Sequence, residues 1–170
     1  AYNAMLGLLW RRPDFRPRVT LNDQGEVVVA KPGEGPGAGH GPQHEYLVVV
    51  RNAKHPITAG LPKAWMHAKD ELYHGQRGPA ANMTILATAY SAADQRGTGT
   101  NEPMLWVIPY GKGRVFTTVL GHADYSMKCV GFITTLLRGT EWAATGKVTL
   151  TDVPDDFPST DQSSSRENLP

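Results

Sequence analysis

Residues 103–122, PMLWVIPYGKGRVFTTVLGH, hold two apolar runs, 104–109 and 114–120, on either side of YGKG. Runs of this length, joined at glycines, predict a β-hairpin whose strands are apolar enough to lie in a core. Any fold open to this chain must therefore be built around a sheet. EYLVVVR (45–51) and MTILATAY (83–90) are two further apolar runs rich in β-branched residues and predict core strands. EVVVA (26–30) predicts a short strand inside the otherwise loop-rich stretch 13–45, where Gly and Pro dominate KPGEGPGAGHGPQH.

Helical period appears at both ends. Met127, Val130, Phe132, Ile133, Leu136 and Leu137 predict a helix over 126–144, with Gly146 as its stop. Tyr2, Met5, Leu6 and Leu9 keep helical spacing from the first residues, as in the middle of an amphipathic helix, so upstream sequence is expected to be missing. Residues 1–150 then form one domain, and 151–170, rich in Pro and polar residues, an extended or disordered tail. Strands separated by helices and long connectors point to an α/β protein.

Composition narrows the function. A chain of 170 residues has the mass for one real core, and a formal charge of +1 creates no global field for nucleic acid or an anionic membrane. No apolar run approaches the roughly 18–20 residues of a membrane span. The single Cys129 excludes an internal disulfide framework and a multi-cysteine zinc cluster. So few cysteines are compatible with the cytoplasm, while a missing N-terminus would hide any signal for export to the periplasm or beyond.

The polar chemistry gathers in HPITAGLPKAWMHAKDELYHG (55–75). On a helix, His67, Asp70, Glu71 and His74 would share a face and could hold a divalent metal. On a strand, His67, Lys69, Glu71 and Tyr73 would face one way, with Asp70 and His74 opposite. Pro62 before the segment and Gly75, Gly78 and Pro79 after it leave barely three turns, so an extended segment is expected. A solvated polar stretch is the plain alternative. His122 follows the run VFTTVLG and so stands at the C-terminal end of a strand, where α/β sheets bind ligands; a loop-capping role is equally open. Glu102 precedes a strand in TNEPMLW and could be a surface glutamate. His40 and His44 in GHGPQHE form a ligand pair only if their loop brings them together. Cys129 lies within the apolar helical pattern and is expected in the core. Trp65, Trp106 and Trp142 could stack on a sugar ring, Trp142 being the most core-like.

Taken together, HPITAGLP, DELY, LATAYS, GTGTNEPMLWVIPYGKGRVF, LGH and RGTEWAATG resemble a bacterial branch of the trehalose-utilisation (ThuA-like) family, in order, from about Ala1 to Val153. The resemblance implies a flavodoxin-like, class I glutamine-amidotransferase-like fold: a parallel sheet with flanking helices, its N-terminal strands lying ahead of this chain. It implies catabolism of 3-keto-glycosides supplied by a partner sugar 3-dehydrogenase. A carbonyl at C3 acidifies the C2 proton, so one base can form an enediolate, from which elimination at C1 or isomerisation follows. His55 matches the family's HPI, Asp70, Glu71 and Tyr73 its DE-x-Y, Glu102 its EP, and His122 its GH. Catalytic roles are expected for His122, Glu71, Glu102 and Asp70, and sugar contacts for Tyr73, His55 and Trp106. A divalent metal, if used, would draw on His122, Glu71 and His40. The implied partner is a small-molecule sugar, with neither nucleic acid nor membrane, and a homo-oligomer is compatible with the family. Two rival readings are a non-catalytic carbohydrate-binding or interaction domain on the same scaffold, and a metal-dependent hydrolase of another ester or amide.

Overall fold

A computed structural model describes residues 2–167. The elements in order are α1 (Tyr2–Leu6), β1 (Arg18–Leu21), β2 (Val27–Ala30), β3 (Gly39–His40), β4 (His44–Val50), β5 (Ala64–Asp70), β6 (Tyr73–His74), β7 (Thr84–Ser91), β8 (Thr100–Tyr110), β9 (Gly113–Thr118), α2 (Asp124–Met127) and α3 (Val130–Thr145). The main sheet has the order β2-β1-β8-β7-β4-β5, with β9 also paired to β8, while β3 and β6 form a small second sheet.

Every pairing is antiparallel. This corrects the expected parallel, flavodoxin-like sheet, and the reason lies in the connections. Parallel neighbours need a crossover of a dozen residues or more, usually helical. Here the one long helix, α3, comes after the last strand, and among the described residues no α-helix lies between two strands, only one 3-10 turn at Ala93–Gln95. The 103–122 hairpin forms as expected, β8 and β9 closing at Tyr110 and Gly113. Gly111 supplies the positive φ of 58° that such two-residue turns need at their first central position.

The long central strand β8 is buried on both faces. Trp106 and Ile108 pack with Leu8 and Val19 on one side. Leu105 and Val107 join Trp65, Phe132 and Ile133 on the other, beneath α3. The helix expected over 126–144 is two helices broken at Lys128–Cys129, with Cys129 as the N-cap of α3 and Gly146 ending it in the left-handed region. Leu136 and Leu137 are exposed rather than core. Val130, Phe132 and Ile133 are buried as expected, and the buried face continues through Gly131, Thr135, Arg138 and Gly139, where Gly139 lets the Phe116 ring press against the helix backbone.

Residues 151–167 form no long element but run along the body. Met66 N–H donates to the Ser159 carbonyl, and Val130 N–H to that of Ser164, at 2.7 and 2.9 Å. The Phe157 ring meets Trp65 edge-on at 5.7 Å. Buried Arg138 donates to the carbonyls of Ala59 and Thr151, tying this segment to the loop after β4. The last three residues of the expected 151–170 tail lie outside the described residues. Among the described residues no helix is long and apolar enough to cross a membrane.

Candidate functional site

The stretch 64–74 is extended, as expected, but it does not alternate. Across from it, β4 advances from His44 to Tyr46 while β5 moves from Asp70 to His67, so one extra residue is accommodated in β5. Such a bulge re-aims side chains. It turns His67 and Asp70, which strict alternation would set on opposite faces, toward each other, 2.9 Å apart and with both side chains fully buried.

Asp70 is the organiser of the region. One carboxylate oxygen accepts from Glu71 N–H at 2.9 Å and His122 N–H at 3.1 Å. The other accepts from Gly121 N–H at 2.7 Å and the His67 imidazole Nε2 at 2.9 Å. A single buried carboxylate thus holds the backbone of both Glu71 and His122. Burial opposes its charge, but the His67 bond and the two loop N–H groups outweigh it, and its pKa lies below the ordinary carboxylate range. Burial likewise opposes the His67 cation, yet Asp70 and the neighbouring Cys129 thiol leave its pKa raised. At Cys129 burial pushes the thiol up, contact with His67 more than reverses this, and the net direction is down. Gly121 takes φ 90°, and a Cβ there would sit 2.7 Å from the Phe132 ring, so the turn presenting His122 requires glycine.

Glu71, Tyr73, His40 and His122 come together on the surface above this network. Pairing of β3 with β6 sets His40 opposite Tyr73. The Glu71 carboxylate, its side chain 14% exposed, lies between two imidazoles, 3.3 Å from His122 Nδ1 and 3.7 Å from His40 Nδ1. The Tyr73 hydroxyl stands 2.8 Å from His122 Nδ1. Burial, then the negative charge of Glu71, raises the Tyr73 pKa, so its hydroxyl stays protonated beside the carboxylate. His40 Nδ1 lies 2.8 Å from the Gly41 carbonyl, which can only accept, so Nδ1 carries the proton and Nε2 the lone pair when the ring is neutral. Trp10, half exposed, completes the wall, its ring 5.4 Å from Tyr73 and 6.1 Å from His40. The cluster thus offers a carboxylate, imidazoles, a phenol and a flat apolar ring to one small polar ligand. Among the described residues no three His, Cys, Asp or Glu side chains stand in a metal-holding arrangement.

The remaining sequence candidates lie elsewhere. Trp106 is fully buried and its Nε1–H donates to the Leu6 carbonyl at 2.9 Å, so it offers no face to a sugar. Trp65 is fully buried too, and Trp142 packs against His55 with ring centroids 4.9 Å apart. His55 accepts from Ile57 N–H and turns the loop after β4, away from the cluster. Asp70 is fully buried and acts on Glu71 and His122 through the backbone. Glu102 is sealed in an ion pair with Arg18, with Thr98 donating to it at 2.7 Å. His74 is buried, paired with Gly39 and 3.3 Å from the Ser91 hydroxyl; burial lowers its pKa. His44 is held by the Pro42 carbonyl and stacks near Tyr46. Trp10 and the network role of Cys129 escaped the sequence reading, while His67, weighed there as a metal ligand, is the buried partner of Asp70.

The chain is thus an α/β domain with an antiparallel sheet that carries an aromatic-walled carboxylate–imidazole cluster beside a bulged strand. The trehalose-utilisation family (ThuA) matches residues 5–143, and the chain belongs to that family. It is 44% identical to a ThuA-like protein of known crystal structure from Parabacteroides merdae, with a TM-score of 0.88 over 97% of this chain. The chain spans 61% of that protein's length. No curated protein matches it significantly.

Proposed function

We propose that the Glu71–His122 pair performs acid–base chemistry on a 3-keto-glycoside, beginning with removal of the proton at C2. The family's association with trehalose utilisation makes a carbohydrate the natural ligand. The observation that carries the reading is the 3.3 Å approach of the Glu71 carboxylate to His122 Nδ1, with the Tyr73 hydroxyl on the same nitrogen, beside an exposed tryptophan. Sugars present flat C–H faces and rings of hydroxyls, and Trp10 suits the first as Tyr73 and His40 suit the second.

One member of the pair takes the C2 proton and the electrons pass to the C3 oxygen as an enediolate. The protonated Tyr73 hydroxyl is placed to stabilise negative charge by donating a hydrogen bond. Expulsion of the C1 substituent, with a proton delivered to its oxygen, gives elimination; reprotonation at C3 after proton transfer between the oxygens gives the isomer. The C3 carbonyl is installed beforehand by a sugar 3-dehydrogenase acting as partner. The chemistry above needs only the side chains; among the described residues His40, Glu71 and His122, the expected metal donors, do not stand in a metal-holding arrangement.

The test is deuterium exchange. With a 3-keto-glucoside in D2O, the protein is expected to wash out the C2 proton signal in NMR, and Glu71→Gln to slow this by about 10²–10⁴-fold while ligand binding stays within about tenfold. Binding without exchange in the native protein would mean that this face only recognises sugars. Activity abolished by chelation, with no dependence on the 3-keto group, would instead indicate a metal-dependent hydrolase.

A further inference from the structure

We propose that the cleft beside Trp10 is an oxyanion subsite, so that the preferred ligand is a sugar carrying a carboxylate or a phosphate. This rests on the carbohydrate reading above and adds the charge of the substrate to it. The cleft, ≈ 420 Å³ in volume, is lined by Trp10, Arg11, Arg12, Pro13, Gly37 and Ala38. Two of its six lining residues are therefore arginines, and none is acidic.

The cleft adjoins the acid–base cluster at two points. Trp10 lines it and also touches Tyr73 and His40. Its floor at Gly37–Ala38 runs directly into β3, which ends on His40. The floor is held against the arginine segment by backbone bonds, Ala38 N–H to the Arg11 carbonyl at 3.0 Å and Gly33 N–H to that of Pro13 at 2.9 Å. A ligand laid across Trp10 would reach from the acid–base cluster toward the two arginines that line the cleft.

Charge on this segment is uncompensated. WRRPDFRPR (10–18) carries four arginines against one acid, Asp14. Arg18 is already committed to Glu102. Among the described residues Arg11, Arg12 and Arg16 form no ion pair. Arg11 and Arg16 both lie over the Phe15 ring, at 5.4 and 5.9 Å from its centroid, so the ring gathers two like charges. Guanidinium held by stacking loses little freedom on binding, and its planar fork matches a carboxylate or phosphate. The larger cleft of ≈ 570 Å³ near Arg16, Gly78 and Pro79 contains one arginine, no histidine and no acid, and has no such link to the cluster.

Binding of methyl glucoside, glucuronic acid and glucose 6-phosphate to the protein tests the proposal by calorimetry at low and high salt. At least one charged sugar should bind about tenfold or more tighter than the neutral one, with the advantage shrinking as salt is raised. The two charged sugars distinguish carboxylate from phosphate. R11Q/R12Q, two exposed positions outside the acid–base cluster, should erase the advantage and leave neutral-sugar affinity unchanged, whereas R16Q should retain it. Equal affinity for all three, no binding of either charged sugar, or a preference that survives R11Q/R12Q overturns the subsite. Inorganic phosphate that binds without being displaced by the charged sugars also overturns it. A charge preference with no C2 exchange leaves the subsite standing and removes only the catalytic reading.

Discussion

Removing the Asp70 carboxylate tests whether the cluster is held from below. Asp70→Ala leaves the N–H groups of Glu71, Gly121 and His122 and the His67 Nε2 without their acceptor, each of these bonds being 2.7–3.1 Å long. Breaking a buried pair by deleting one partner costs about 3–5 kcal/mol, and the three freed N–H groups add to this only where water cannot reach them. Asp70→Asn keeps the shape and one acceptor oxygen but turns an NH2 toward two of the four donors, for an expected loss of about 2–3 kcal/mol. The folded-state pKa of Asp70 is depressed, so its stabilisation is present above the unfolded value near 3.8 and is lost as pH falls through the folded one. That of His67 is raised, so its part is complete below 6.5 and is lost as pH rises through the folded value. Urea unfolding of the native protein should therefore show both limbs, and D70N, which lacks both the titrating carboxyl and the bond that raises the His67 pKa, should flatten both. A D70N protein within about 0.5 kcal/mol of the native one, with the same pH profile, would refute the claim that this carboxylate organises the site.

Gly121→Ala forces a side chain onto φ 90° and into the Phe132 ring, and should cost about 1–3 kcal/mol in unfolding experiments while displacing His122. Cys129 is fully buried, so a thiol reagent should label it only after unfolding, despite its lowered pKa; rapid labelling of the native protein would contradict its placement. Trp10→Ala removes an exposed ring that supports nothing in the core, and should weaken sugar binding on the order of tenfold with the melting temperature unchanged.

The features legible in the sequence were those set by neighbours along the chain. The β8–β9 hairpin could be read because its apolar runs and glycine turn are contiguous, and the extended state of 64–74 because prolines and glycines bracket it. The family motifs likewise named Glu71, Tyr73 and His122, which the fold does bring together. Trp106 misled because an apolar strand residue and a sugar-stacking ring look alike until burial is known.

By itself, then, the sequence determined a single-cysteine, sheet-based chain with one long terminal helix and an acid–histidine segment at a strand end. Those are consequences of local propensity and period, which act over a few residues. Only the tertiary structure decided that the sheet is antiparallel, that a bulge turns His67 and Asp70 toward each other, and that Trp10 and His40 meet Tyr73. Each of those depends on which strands pair and in what register, a choice made by burial and hydrogen bonding between segments tens of residues apart.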